Sequence, residues 1–176
     1  MRIVITGGPC TGKTSLINYL ESVGHTTVPE AGRLVIEKLK DSFKWPAKDF
    51  RYMQLQILLK QLELESKIPV DARQVFYDRS ALDNFGYCEQ FGVEPPEELY
   101  EYAEKTRFDK VFHLEPIGKF TPDRVRYETP EQAREIHELI AKVYRKFGYS
   151  PIKVPLKDTI YERYQFILRD LKQNGK

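Results

Sequence analysis

Gly7, Gly8, Pro9, Cys10, Thr11, Gly12, Lys13 and Thr14 set two glycines, a lysine and a hydroxyl in the order G-x-x-x-x-G-K-[ST], the Walker A spacing. The spacing has a chemical reason. Glycines let backbone N–H groups turn toward a polyphosphate, and the loop opens a helix whose positive dipole end faces the same anion. A lysine at position 13 reaches the β- and γ-phosphates, while the Thr14 hydroxyl is suited to ligate Mg²⁺. Nucleoside triphosphate binding is therefore the first expectation. The Cys10 thiol receives no catalytic role, because its position in the loop tolerates many residue types.

A carboxylate belongs near such a loop. The apolar run Val75-Phe76-Tyr77 ends in Asp78, followed by Arg79, Ser80 and Asp83. A carboxylate at the end of a buried strand, brought beside the loop by sheet pairing, can hold Mg²⁺ directly or through water, which assigns Asp78 to the metal with Thr14. Arg79 reads either as a site cation or as a partner of Asp78. Ser80 and Asp83 read as a capping box for the next helix. Glu30 follows Val28-Pro29 with Arg33 one helical turn on, and reads either as a rim carboxylate or as an N-terminal helix charge. Arg124 and Arg126 stand in the aperiodic segment 115–128, where a phosphate-facing lid and ordinary surface charge both remain open. Phe43, Trp45, Phe50 and Tyr52 cluster in sequence and could stack on a planar group. His25, His113 and His137 lack metal-ligand spacing with the cysteines, which counts against zinc.

The elements that must position these groups alternate in type. Short β-branched or apolar runs at 2–6, 25–29, 74–77, 110–114 and 151–154 read as five strands, separated by helical periodicity. Leu16, Ile17, Leu20 and Val23 repeat at helical spacing after the loop, with Gly24 as a stop. Helices are expected over 31–39, over 47–66 with Leu55, Leu58, Leu59 and Leu62 on one face, and from Pro95-Pro96 to about 106. Thr129 and Gln132, then Thr159 and Glu162, form capping boxes ahead of two further apolar stripes. The pattern is that of β-α-β units closing on a parallel sheet, an α/β fold.

Composition bounds the rest. With 176 residues and 41% hydrophobic content, a single domain over 1–176 is expected. The 28 Lys and Arg against 26 Asp and Glu leave +2, too balanced to suggest a nucleic-acid binder. Two cysteines make no disulfide framework, and neither a leader peptide nor a membrane span is visible, so the cytoplasm is the expected location.

With residues 7–14, Glu30-Ala31-Gly32-Arg33, Asp78-Arg79-Ser80, the 123–126 loop, and Tyr144, Phe147-Gly148-Tyr149 and Val154-Pro155 in view, the chain resembles a P-loop kinase of the nucleoside and nucleotide kinase type. More narrowly, it resembles the AAA-like predicted-ATPase family that includes the ribosylnicotinamide-kinase domain of bacterial NAD regulators. That resemblance implies the three-layer P-loop NTPase fold, a five-stranded parallel sheet in order 2-3-1-4-5, and a lid. It also implies that Glu30 sits near the acceptor hydroxyl as base or orienting group, that Arg79 contacts acceptor or phosphate, and that Arg124 and Arg126 close from the lid. Pro155, within 154–157, would lie near the nucleotide base.

The expected function is ATP-dependent, Mg²⁺-assisted phosphoryl transfer to a small hydroxyl-bearing acceptor of nucleoside-like type. The partners are then a nucleoside triphosphate and a small-molecule acceptor, with room for a protein partner and little reason for nucleic acid. A nucleotide-binding switch, using ATP or GTP state to regulate a partner, is the alternative, although no Asn-Lys-x-Asp guanine motif occurs.

Overall fold

Ile3, Val4 and Ile5 are all fully buried, and alternation sends them to opposite faces of one sheet. They form the centre of strand β1 (Arg2–Thr6), which pairs in parallel with β3 (Val75–Asp78) on one side and β4 (Lys110–Leu114) on the other. Strands β2 (Thr26–Val28) and β5 (Ile152–Val154) complete the order 2-3-1-4-5, as the resemblance implied. The computed structural model describes residues 1–39, 50–118 and 129–173.

Helices cover both faces. On one, α1 (Lys13–Ser22) and α7 (Ile160–Gln173) bury Leu16, Ile17, Leu20, Ile167 and Leu171 against Ile3, Ile5, Phe76 and Phe112. On the other, α4 (Asp83–Gln90), α5 (Glu97–Lys105) and α6 (Pro130–Lys146) pack on Val4, Tyr77 and Val111. A smaller cluster joins α2 (Ala31–Leu39) and α3 (Phe50–Glu65) to Cys88 of α4. The layering is that of a doubly wound α/β sheet, whose ligand crevice lies beyond the carboxyl ends of the strands.

Local chemistry sets the helix ends. Thr129 accepts from Gln132 N while its own N–H donates to Gln132 Oε1, so the expected capping box forms, with Pro130 in the first turn. Thr159 and Glu162 repeat the arrangement ahead of α7. The chain past α6 turns at Gly148, whose φ of 84° lies in the left-handed region.

Three expectations need correction. The apolar face of α3 carries Phe50, Met53, Ile57 and Leu58 with Gln54 and Gln61, whereas Leu59 and Leu62 are exposed. Helical spacing alone could not choose between two adjacent leucine rows, and the row bearing two glutamines is the inward one. Val23 is likewise exposed at the end of α1. Ser80 and Asp83 do not cap α4: no side chain caps that helix, and Asp83 is drawn into a buried network instead.

Candidate active site

The first turn of the site is built at the carboxyl end of β1. Gly7 adopts φ 136° and Gly12 φ 79°, and a Cβ at Gly7 would come within 2.8 Å of Leu114 O. Both glycines are thus required by backbone shape and space. Cys10 adopts φ 58°, a left-handed conformation uncommon for a residue with a side chain. The loop is fixed from several sides. Arg79 Nη1 donates to Gly7 O at 2.9 Å, Lys13 Nζ donates to Gly8 O at 2.7 Å, and Arg163 of α7 donates to Thr11 O. Arg163 Nη2 also donates to Glu115 O at 2.9 Å, tying the loop after β4 to the same helix.

Register explains why Asp78 lies here. It is the residue of β3 opposite Ile5, so its side chain emerges where β1 passes into the loop. Asp78 is buried, hydrogen bonds Thr14, and leaves Oδ1 without a partner. Burial first, then the negative charge of Glu30, pushes its carboxyl up to about 7 against the opposing pull of Lys13 and Arg79. Lys13, also buried, is pushed down to about 8 by burial and by Arg79, with Glu30, Asp78 and Asp83 acting the other way. An orphaned carboxylate oxygen beside a threonine hydroxyl is a donor set that fits a hard divalent cation. Thr14 and Asp78 are the residues that could hold one.

Arg79 organises the other side of the crevice. Its backbone has φ 68° and its N–H donates to Ile5 O. Its guanidinium binds Glu30 Oε1 at 3.0 Å and Asp83 Oδ2 at 2.8 Å, and lies 5.6 Å from the ring centre of Tyr87. Asp83 in turn accepts from Thr6 Oγ1 at 2.7 Å and from the Tyr144 hydroxyl at 2.8 Å, and that hydroxyl also meets Ser80 Oγ. A buried carboxylate with this many donors holds the arginine rigidly, and the arginine holds Glu30. The Asp78–Arg79 pairing weighed from sequence is replaced by this Glu30–Arg79–Asp83 chain.

A cavity of about 310 Å³ opens from the loop past Glu30 and Arg79. Its far wall is apolar, with Ile36, Phe50, Met53, Ile57 and Tyr87, and carries the amides of Gln54 and Asn84. Gln54 is almost wholly buried, its Oε1 has no partner, and its backbone carbonyl accepts from Asn84 Nδ2. Of the four aromatics expected to form a stacking wall, Phe50 lines the cavity. Tyr52 does not, being exposed on the outer face of α3, and Phe43 and Trp45 lie outside the described residues.

The structure brings together residues 9–14, Glu30, Asp78 and Arg79 around one crevice. Pro155 is exposed after β5 and does not line the cavity. Arg124 and Arg126, with residues 119–128 of the expected lid, lie outside the described residues. Sequence reading missed Thr6, Gln54, His137 and Arg163, and misassigned Asp83. The histidines, set aside for their spacing, do meet: His113, Glu115 and His137 each bring a potential ligand atom within 4.8 Å of the others. Among the described residues, no helix is long and apolar enough to cross a membrane.

Comparison with known proteins agrees with this architecture. A family model described as an AAA domain matches residues 2–163. No curated protein matches the chain by sequence. Among solved structures, deoxyadenosine kinase from M. mycoides superposes with a TM-score of 0.64 at 15% identity, over 98% of this chain and 99% of that one. Thymidylate kinase from Candida albicans gives 0.72 at 15% identity, over 98% and 91%. The NadR protein in complex with NR gives 0.72 at 22% identity, and the present chain, matched over 99% of its length, spans about half of it at 51%. At these identities the likeness is one of fold.

Proposed function

The chain belongs to the AAA domain family, and from that premise we propose that it transfers a phosphoryl group from ATP to a hydroxyl of a small, nucleoside-like acceptor. The observation that carries the proposal is the Glu30–Arg79–Asp83 chain, which points a carboxylate into the cavity beside the phosphate loop. A protein that only hydrolysed nucleotide would have little use for an apolar extension of the crevice beyond the loop. The kinases of similar fold, named for deoxyadenosine and thymidylate, support the same reading.

The residues divide the work. Backbone N–H groups of the loop cradle the phosphates, and Lys13 leaves the Gly8 carbonyl to meet the β- and γ-phosphates, whose negative charge favours the ammonium that burial disfavours. Thr14 and Asp78 would hold Mg²⁺, which supplies neutralisation of the developing charge on the phosphates. Glu30, oriented by Arg79, accepts or aligns the acceptor hydroxyl. Phe50 and Tyr87 flank a planar heterocycle, and the unpartnered Gln54 Oε1 waits for an N–H donor on it. Little covalent chemistry is asked of the protein, so positioning and electrostatics carry the rate. Cys10 and Cys88 are not joined in a disulfide, which suits a cytoplasmic setting.

Glu30→Gln tests this assignment. The variant is expected to keep its nucleotide affinity in calorimetry and to lose at least about 10²-fold in acceptor phosphorylation. Undiminished turnover removes Glu30 from the mechanism.

A further inference from the structure

Gly8 joins the phosphate loop to α6. Its N–H donates to His137 Nδ1 at 3.1 Å in a buried bond, and its carbonyl accepts from Lys13. A Cβ at Gly8 would lie 2.8 Å from both Ala133 O and His137 Cβ, so loop and helix are in direct contact. When Lys13 turns to a phosphate, it gives up the Gly8 carbonyl. The bond to His137 then holds this end of the loop together with those from Thr11 Oγ1 to Gly8 O and from Arg79 to Gly7 O.

An N–H can point at Nδ1 only if that nitrogen is unprotonated, so His137 is a neutral imidazole with its proton on Nε2. His113, opposite Thr6 in the sheet, fixes the residue from the other side: its ring centre lies 4.1 Å away, and its Nε2 donates to His137 O at 3.1 Å. The His113 proton is therefore also on Nε2, which leaves Nδ1 as a buried lone pair without a partner. Around His137, Glu115 and Glu138 favour the cation, while burial, Lys13 and Lys153 oppose it and hold its pKa below the ordinary value. His113 is pushed down to about 3 by burial and by His137. With Nδ1 taken by Gly8 and Nε2 protonated, His137 has no lone pair to offer a cation, so the His113–Glu115–His137 cluster serves the loop rather than a metal.

We propose that His137 is a positioning residue of the phosphate loop, a neutral acceptor that holds the Gly8 amide in its triphosphate-binding orientation and lets it go when protonated. The inference rests on reading the loop as a triphosphate site, but its first readout does not. Asn at position 137 offers a carbonyl oxygen near the place of Nδ1 and does not titrate, whereas Leu offers no acceptor. In nucleotide-free protein followed by ¹⁵N NMR, the wild-type Gly8 amide is expected to be protected from exchange and to shift as pH falls through the His137 titration. His137→Asn keeps the protection and loses the pH response, and His137→Leu loses about tenfold in protection. A His137 ring protonated on Nδ1 at neutral pH, or a Gly8 amide equally protected in the Leu variant, overturns the proposal.

The second readout is calorimetric affinity for a non-hydrolysable ATP analogue with Mg²⁺, alongside the KM for the acceptor. The Asn variant should stay within about threefold of wild type and the Leu variant should bind the analogue about tenfold more weakly, with the acceptor KM unchanged in both. Equal losses in both variants would mean that packing, not the acceptor atom, matters, and would refute the proposal. If wild-type protein binds no triphosphate, the functional reading of the loop fails, and the Gly8 readout still decides whether His137 holds it.

Discussion

Replacing Asp78 by Asn should make the nucleotide-free protein more stable and its catalysis more demanding of metal. Asp78 is 2% exposed, and its carboxyl is pushed from 3.8 up to about 7, chiefly by burial and then by Glu30. The folded state therefore binds more protons than the unfolded state between those values. The stabilising contribution of the protonated form is fully present below about 3.8 and is lost as pH rises through about 7. A displacement of about three pH units corresponds to ~4 kcal/mol at ~1.36 kcal/mol each. Lys13 loses a favourable neighbour in the variant, which returns part of this, so the net gain expected at pH 8 is about 1–3 kcal/mol. Urea denaturation of both proteins from pH 5 to pH 8 reads it directly: the gap should widen up to about pH 7 and then stay flat. In turnover, the variant should lose more at limiting than at saturating Mg²⁺. A variant that is less stable than wild type at pH 8, or a gap constant across the range, would refute the picture of Asp78 as a buried carboxylate kept for a cation.

Lys13→Met should abolish phosphoryl transfer without lowering stability at pH 7, since the buried ammonium is disfavoured there. The unfolded state binds more protons between about 8 and 10.5, so wild type should gain stability as pH rises through that window and the Met variant should not; a matching rise in both contradicts this. Tyr144→Phe removes the hydroxyl shared by Asp83 and Ser80 and should cost about 1–3 kcal/mol in chemical denaturation, with a loss under about 0.5 kcal/mol counting against the network. Gln54→Leu should leave apo stability unchanged or higher, because an unpartnered buried oxygen is removed, while raising the acceptor KM; an unaltered KM takes Gln54 out of acceptor recognition.

Legibility in the sequence followed the range of the interactions. The loop was readable because its chemistry is compressed into eight adjacent residues, and Asp78 because a charge ending the apolar Val75–Tyr77 run has few structural uses. Strand order could be taken from resemblance, and the two capping boxes from three-residue spacing. Asp83 was misread because its three-residue distance from Ser80 matches a capping box. Its pairing with Arg79 depends on the left-handed turn at Arg79, between β3 and α4, which no spacing in the sequence announces. Arg163 and His137 left no local trace. They meet the loop across 152 and 129 residues, and only the folding of α7 and α6 onto opposite faces of the sheet brings them there. The inward row of α3 was hidden for a related reason: Gln54 and Gln61 look like surface residues until the cavity and Glu65 give them partners and a purpose.

The central claim is that the cavity beside the phosphate loop holds a hydroxyl acceptor. ³¹P NMR of ATP and Mg²⁺ with wild-type protein, against nucleosides, nucleoside monophosphates and nicotinamide riboside in turn, measures it most directly. The expected result is that at least one of these compounds acquires a new phosphoester resonance as ADP accumulates, and that Glu30→Gln suppresses that resonance by at least about 10²-fold. Release of ADP and inorganic phosphate at one rate whatever acceptor is present would contradict the account and identify the chain as a nucleotide-hydrolysing switch.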